Sequence, residues 1–262
     1  MNYKLIASDI DGTLLDENGN LSEKNSSSIK RLVASGNFFV LSTGRPIQAI
    51  SPLITRLTLE NTPIIAYNGA RVTCGNETLF NLTLGSGLYK EIVAEGVKRN
   101  ATMVCWSEDK LYAESLCDRV NEYKKIGGVE PIICKDLSLV DRVTKLVWID
   151  EPETVSRYHA EMTALFGKRA NVHPTRINFL EFVNKDCSKA IALKIVCDAL
   201  KVRVSESIAV GDGINDISMI RAAGLGVAVE NAGEEVKKNA DYIAPHCNKN
   251  AINHLIGRFF GL

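Results

Sequence analysis

Leu5-Ile-Ala-Ser-Asp-Ile-Asp-Gly-Thr-Leu-Leu15 begins as an apolar run and stops at two carboxylates one residue apart, Asp9 and Asp11, followed by Gly12 and Thr13. A short apolar run closed by a turn residue is the pattern of a strand buried on both faces, as in a parallel sheet. Gly12 lets the chain turn sharply where the strand ends. In open α/β sheets that carboxyl end is where ligands bind. Two acids at one strand exit repel each other unless a cation lies between them, and hard oxygen ligands of this kind suit Mg²⁺. Taken alone, an Asp-Gly turn without a ligand accounts for these residues equally well.

Two further apolar runs end in a similar way. Asn37-Phe-Phe-Val-Leu-Ser42 is predicted as a strand stopping at Thr43-Gly44-Arg45, and Ser207-Ile-Ala-Val210 as one stopping at Gly211-Asp-Gly-Ile-Asn-Asp216. If the three strands are neighbours in one parallel sheet, their tips converge on one crevice. Asp9, Asp212 and Asp216 can then share a Mg²⁺, with waters completing the octahedron. Each tip also has a plainer explanation. The glycines around Asp212 suit a strand-to-helix turn, and Asn215 and Asp216 suit helix capping. Three coincident tips weaken those explanations. Acids gathered around a divalent cation suit a dianionic substrate, and phosphoryl transfer, whose catalysis is mostly positioning and electrostatics, is the match. A carboxylate is an established phosphoryl acceptor. A second acid two residues on can protonate the departing alkoxide and then activate water.

Around these tips the chain alternates. Asn18-Gly19 between apolar flanks predicts a hairpin over 14–21, and Ser22 is placed to cap a helix running to residue 35, with Gly36 as its stop. Pro46 suits the first turn of a second helix, and residues 62–67 read as a third strand ending at Asn68-Gly69. Strand, helix, strand, helix, strand in this order argues a right-handed parallel α/β sheet. From residue 81 the texture changes: helices at about 88–100 and 151–166, short strands at 102–106, 111–114, 143–149, 171–173 and 179–183, and an irregular Gly127-Gly128 region. From Cys187 the α/β alternation resumes, with a helix over 188–200. The predicted class is α/β: a Rossmann-like parallel sheet with helices on both faces, formed by residues 1–80 and 184–262, with residues 81–183 as an inserted α+β domain.

With 262 residues, 45% of them hydrophobic, the chain is long enough for one large domain or two smaller ones. Its 31 basic and 31 acidic residues cancel, and no Lys/Arg block argues for nucleic acid. The N-terminus lacks the apolar region of a signal peptide, and no apolar run approaches the ~20 residues of a membrane span. Seven cysteines without a C-x-x-C pair fit reduced thiols in a cytosol better than disulfides or zinc. A cytoplasmic protein with a small-molecule partner, and with neither nucleic acid nor membrane, is expected; the oligomeric state is left open.

Asp9-Ile-Asp-Gly-Thr-Leu-Leu, Ser42-Thr-Gly-Arg45, Ser188-Lys189 and Gly211-Asp-Gly-Ile-Asn-Asp216 resemble, in order and spacing, the four signatures of the haloacid dehalogenase superfamily. Ala222-Ala-Gly-Leu-Gly-Val-Ala-Val and Ala240-Asp-Tyr-Ile243 resemble its Cof-type branch, type IIB with a C2 cap. The resemblance implies a Mg²⁺-dependent phosphatase that hydrolyses a small phosphorylated metabolite, a sugar phosphate or cofactor phosphate, through an aspartyl-phosphate. Asp9 would be the nucleophile and a metal ligand. Asp11 would be the general acid/base and ligate Mg²⁺ through its carbonyl. Thr43, with the Gly44 N–H, would bind the transferring phosphoryl group, and Lys189 would neutralise charge there. Asp212 would bind the metal directly and Asp216 through water or from behind. Asn215 would contact the phosphate side, and Arg45 either the substrate or the inserted domain, though a solvated face suits Arg45 equally. The inserted segment would be the cap that excludes water and selects the leaving group.

Two departures from the family pattern stand out. Ala190 follows the motif Lys where Gly is usual, and Glu230-Asn231 follow Val229 where Met and a small residue are more common. The second pair reads as a surface change, although it follows a core strand and could touch the metal-side loop. The alternatives are a phosphomutase of the same superfamily, or a non-enzymatic phospho-Asp switch. A receiver domain is about half this length and lacks the insert. Four scattered histidines argue against a His-based site. His173 and His246, each beside a Pro, read as loop. Trp106 and Trp148 read as packing in strands of the insert, and Glu181 as a hinge or substrate contact.

Overall fold

Strand β1, Leu5–Ser8, is fully buried and lies between two parallel neighbours, with Leu5 opposite Phe38 on one side and Ser207 on the other. The computed structural model describes residues 2–262. After β1 come helix α1 (Glu23–Ala34), strand β2 (Phe38–Leu41), helix α2 (Ser51–Leu57) and strands β3 (Ile64–Ala66), β4 (Arg71–Cys74) and β5 (Glu77–Asn81). Next are α3 (Ser86–Lys98), β6 (Thr102–Ser107), β7 (Lys110–Ala113), α4 (Asp118–Gly127), β8 (Ile132–Ile133), β9 (Val143–Ile149), α5 (Pro152–Phe166), β10 (Ala170–Arg176) and β11 (Phe179–Asn184). The chain closes with α6 (Lys189–Leu200), β12 (Ser207–Gly211), α7 (Ile217–Ala222), β13 (Leu225–Val229), α8 (Glu234–Lys237), β14 (Tyr242–Ala244) and α9 (Ala251–Phe260). Two units separate: one holds the chain up to Gly44, Ile50–Phe80 and Ser188–Leu262, the other Arg45–Ala49 and Asn81–Cys187.

The first unit is an α/β layer structure. Its parallel sheet has the order β14-β13-β12-β1-β2, and a single parallel bridge from Ser42 to Ile65 leads on to the β3-β4-β5 meander. Side chains alternate across a strand. Ile6, Phe39, Ile208 and Val227 therefore pack with Ile29 and Leu32 of α1 and Ile252 and Leu255 of α9. Leu5, Ala7, Val40 and Ala209 pack on the other face with Leu193 and Val196 of α6 and Met219 of α7. Each fully buried Leu or Ile contributes about 1.5–3 kcal/mol relative to exposure. Ser22 caps α1, accepting from the Asn25 N–H at 3.1 Å.

Two local expectations fail here. The 14–21 stretch closes as a turn, with the Asp16 N–H on the Asn20 carbonyl at 3.0 Å, and among the described residues no strand flanks it. The Asp16 side chain takes the N–H groups of Asn18 and Asn20, so a local side-chain turn replaces the ladder. Pro46 precedes only a single tight turn, Ile47–Ile50, and α2 starts at Ser51 with a proline in its first turn.

The second unit carries a six-stranded sheet of order β10-β11-β9-β6-β7-β8, antiparallel except between β7 and β8. One face packs Met103, Leu146, Trp148 and Phe182 against Tyr89 and Ile92 of α3 and Tyr158 and Met162 of α5. Helix α4 occupies the region expected to be irregular. Only Val120, Tyr123 and Gly127 of it are buried, an apolar stripe too thin to show in the sequence. His173, expected in a loop, lies on β10 opposite Glu181, because an edge strand tolerates the adjoining Pro174. Glu181 is no hinge. It sits inside β11 and binds Lys145 Nζ at 3.0 Å, with both side chains under a tenth exposed. Among the described residues no disulfide joins the cysteines, and no helix is long and apolar enough to cross a membrane.

Candidate active site

Everything in the site comes from the first unit. Asp9 leaves the end of β1 with its N–H on the Val210 carbonyl at 2.9 Å, so the tips of β1 and β12 stand level. Lys189 opens α6, whose start is fixed by Ser188 accepting from the Ala190 N–H at 3.1 Å. The turn before β4 presses against that start. A Cβ on Gly69, at φ +95°, would lie 2.3 Å from the Ser188 carbonyl oxygen, so only glycine fits. Lys189 is completely buried, and its three donors reach Asp9 Oδ1 at 2.7 Å, Asp216 Oδ1 at 2.5 Å and the Ser42 carbonyl at 2.9 Å. A buried ammonium is tolerable only when paired and saturated in this way.

Asp216 is spoken for on both sides. Its Oδ1 binds Lys189, and its Oδ2 accepts from the N–H groups of Asp212 at 3.2 Å and Gly213 at 2.9 Å. Asp212 receives the Thr13 hydroxyl on Oδ1 at 2.7 Å. Carboxylate oxygens of Asp9, Asp212 and Asp216 lie within 4.8 Å of one another. Burial pushes the Asp9 carboxyl well above its ordinary range; Lys189 pulls it back, while Asp216 and Asp212 push it further up. Burial also raises Asp212, against the Thr13 hydrogen bond and with Asp216 adding to the rise. Burial alone would lower Lys189, but Asp216 and Asp9 overcome it and hold the ammonium protonated far into base.

Three clustered carboxylates face one ammonium, an imbalance that a divalent cation offsets. The donor set fits a hard ion such as Mg²⁺. Lys189 and Thr13 use only the Oδ1 atoms of Asp9 and Asp212, leaving both Oδ2 atoms to reach a metal. Asp216, with both oxygens engaged, is suited to orient the Asp212 loop or to act through water.

Asp11 is exposed on the loop after β1. Thr43 is buried, with its N–H on the Ile65 carbonyl and its own carbonyl receiving the Asn68 N–H, both at 2.9 Å. Gly44 lies against the Asn68 side chain, where a Cβ would come within 3.0 Å of Asn68 Oδ1. Asn215 is exposed and donates from Nδ2 to Asn68 Oδ1 at 2.9 Å. Asn68 is thus the residue that sequence reasoning left unassigned. Its signal was an Asn-Gly pair at a strand end, and Asn68 indeed has a positive φ of 58°. Arg45 is half-buried and groups with the second unit, apart from Thr43 and Gly44.

Known proteins resemble this chain over nearly its whole length. The model of a family described as haloacid dehalogenase-like hydrolases matches residues 6–256. The phosphatase candidate YxeH of Bacillus subtilis is 29% identical over 262 residues, which cover 97% of this chain and 97% of that protein. Among solved structures, a haloacid dehalogenase-like hydrolase from Bacteroides thetaiotaomicron matches with a TM-score of 0.89 at 29% identity, over 99% of this chain and 100% of that one. A subclass IIB sugar phosphatase of the same superfamily shares the fold, with a TM-score of 0.83 and 23% identity over 98% and 99% of the two chains.

Proposed function

This chain belongs to the haloacid dehalogenase-like hydrolases, and from that premise we propose that it is a Mg²⁺-dependent, cytoplasmic phosphatase acting on a small phosphorylated metabolite, a sugar phosphate or cofactor phosphate. The observation that carries the reading is the buried Lys189 ammonium on Asp9 Oδ1, with Asp212 and Asp216 carboxylates within 4.8 Å. A carboxylate held by one fixed cation, kept out of water and with its second oxygen able to bind a metal, is suited to attack phosphorus.

An Asp9 oxygen forms the new bond to phosphorus as the bond to the leaving oxygen breaks. Asp11 gives that oxygen its proton. Asp11, now a base, takes a proton from water, which attacks the phosphorus and returns the Asp9 carboxylate with inorganic phosphate. Lys189 keeps Asp9 oriented and offsets part of the rise that burial gives its carboxyl, and Thr43 with the Gly44 N–H holds the transferring oxygens. Asn215 steadies the phosphate side. Asp9, Asp212, the Asp11 carbonyl and, less directly, Asp216 would hold the Mg²⁺, which supplies positive charge where acids and a phosphate dianion meet.

Phosphate release from a panel of sugar, cofactor and aryl phosphates tests the reading, with and without Mg²⁺. Release that depends on Mg²⁺, with acid-stable mass labelling of Asp9 in quenched turnover, is expected. No release from any member would overturn it. Isomerised sugar phosphates without free phosphate would mark a mutase instead.

A further inference from the structure

Asn231, in the turn after β13, reaches back to the loop that carries Asp11. Its Nδ2 donates to the Gly12 carbonyl at 2.7 Å, and its Oδ1 accepts from the Cys247 N–H at 2.9 Å. The two bonds fix which way the amide faces and tie the loop after β1 to the turn before α9. The next residue, Thr13, donates to Asp212 Oδ1 at 2.7 Å. Gly12, at φ +74°, sits so close to Asp212 that a Cβ would come 2.7 Å from its Oδ2. Gly12 and Thr13 are therefore gripped between Asp212 and Asn231, and Asp11 is the residue immediately before that grip. Further along, Asn248 binds Glu17 twice, through the Glu17 N–H at 3.1 Å and Glu17 Oε2 at 2.7 Å.

We infer that Asn231 is a positioning residue for the reaction: by holding the Gly12 carbonyl it sets where the Asp11 carboxyl stands relative to the departing oxygen. The inference rests on the phosphatase reading above. A proton donor must lie within hydrogen-bond reach of the leaving atom, and a displacement of about 1 Å can cost about 10²-fold. Glu230, the neighbouring residue, makes its bonds to the His246 N–H at 3.2 Å and Lys249 Nζ at 3.1 Å and does not reach the loop, which makes it a control.

The test compares kcat/KM for p-nitrophenyl phosphate, whose phenolate leaves without a proton, with that for glycerol phosphate, whose alkoxide needs one. Asn231→Ala is expected to lower the alkyl value about 10-fold or more and the aryl value less than about threefold. Asp11→Asn should give the same asymmetry more strongly, and Glu230→Gln should change neither value. Amide hydrogen exchange over residues 12–15 should quicken in Asn231→Ala while the rest of the chain is unchanged. If that variant fails to fold, Asn231→Asp is read in its place: it keeps the shape and the acceptor for Cys247 but turns an oxygen toward the Gly12 carbonyl. Equal losses on both substrates, no loss on either, or unchanged exchange would overturn the inference while leaving the phosphatase reading intact. A wild-type protein that releases no phosphate from these two substrates or from any sugar, cofactor or aryl phosphate of the panel would sink both.

Discussion

Each unit buries a lysine against carboxylate, and the two arrangements differ in balance. In the second unit Lys145 faces Glu181 at 3.0 Å, one charge against one. Burial lowers Lys145, but Glu181 more than compensates, so the ammonium stays protonated. In the first unit Lys189 faces Asp9 and Asp216, with Asp212 close by, so negative charge is in excess. A balanced pair satisfies itself and needs nothing more. An unbalanced cluster is held in a state that a bound cation relieves, which is the physical difference between a structural pair and a site.

The strongest way to break that comparison is Asp9→Asn. Phosphate release should fall by about 10⁴-fold or more, while circular dichroism shows the fold retained. Near-full activity would refute the role given to Asp9. Next in size is Lys145→Met, which strands Glu181 in the interior and should cost about 3–5 kcal/mol in denaturant melts. The double variant Lys145→Met with Glu181→Leu should recover most of that loss, since a self-contained pair can be replaced by packing. No such double replacement at Lys189 and Asp9 should restore turnover.

Metal response sharpens the contrast at intermediate size. Asp9 and Asp212 both lie above the ordinary 3.8 in the folded chain without metal. The folded state therefore binds those protons more tightly than the unfolded state. Their contribution to stability is present in acid and is lost as pH rises from about 3.8 through the raised values. In melts between about pH 4 and 7, wild type should lose stability relative to Asp9→Asn as pH rises. Saturating Mg²⁺ should remove that difference and add about 2.7 kcal/mol at a hundred times Kd. Asp212→Asn should abolish the response. A wild type that gains on Asp9→Asn with rising pH, without metal, would contradict the charge imbalance. The smallest effect belongs to the balanced side. Tyr123 accepts from Trp106 Nε1 at 2.9 Å beside the Lys145 pair, and Tyr123→Phe should cost about 1 kcal/mol with no change in Mg²⁺ response.

The sequence by itself determined the strands that are buried on both faces, the capped start of α1 and the parallel α/β order, because strand periodicity and capping are written within a few neighbouring residues. It also placed Asp9, Thr43, Lys189 and Asp212 at strand ends or a helix start. It missed α4, whose buried stripe is three residues wide, and it misread the 14–21 turn, where one Asp side chain displaced a ladder. Only the tertiary structure decided how the acids divide their work: both Asp216 oxygens are consumed, while Asp9 and Asp212 each keep one. Only it joined Asn68 to Asn215, Asn231 to Gly12 and Lys145 to Glu181. Those bonds depend on which strands and turns become neighbours in space, a distance that spacing along the chain does not carry.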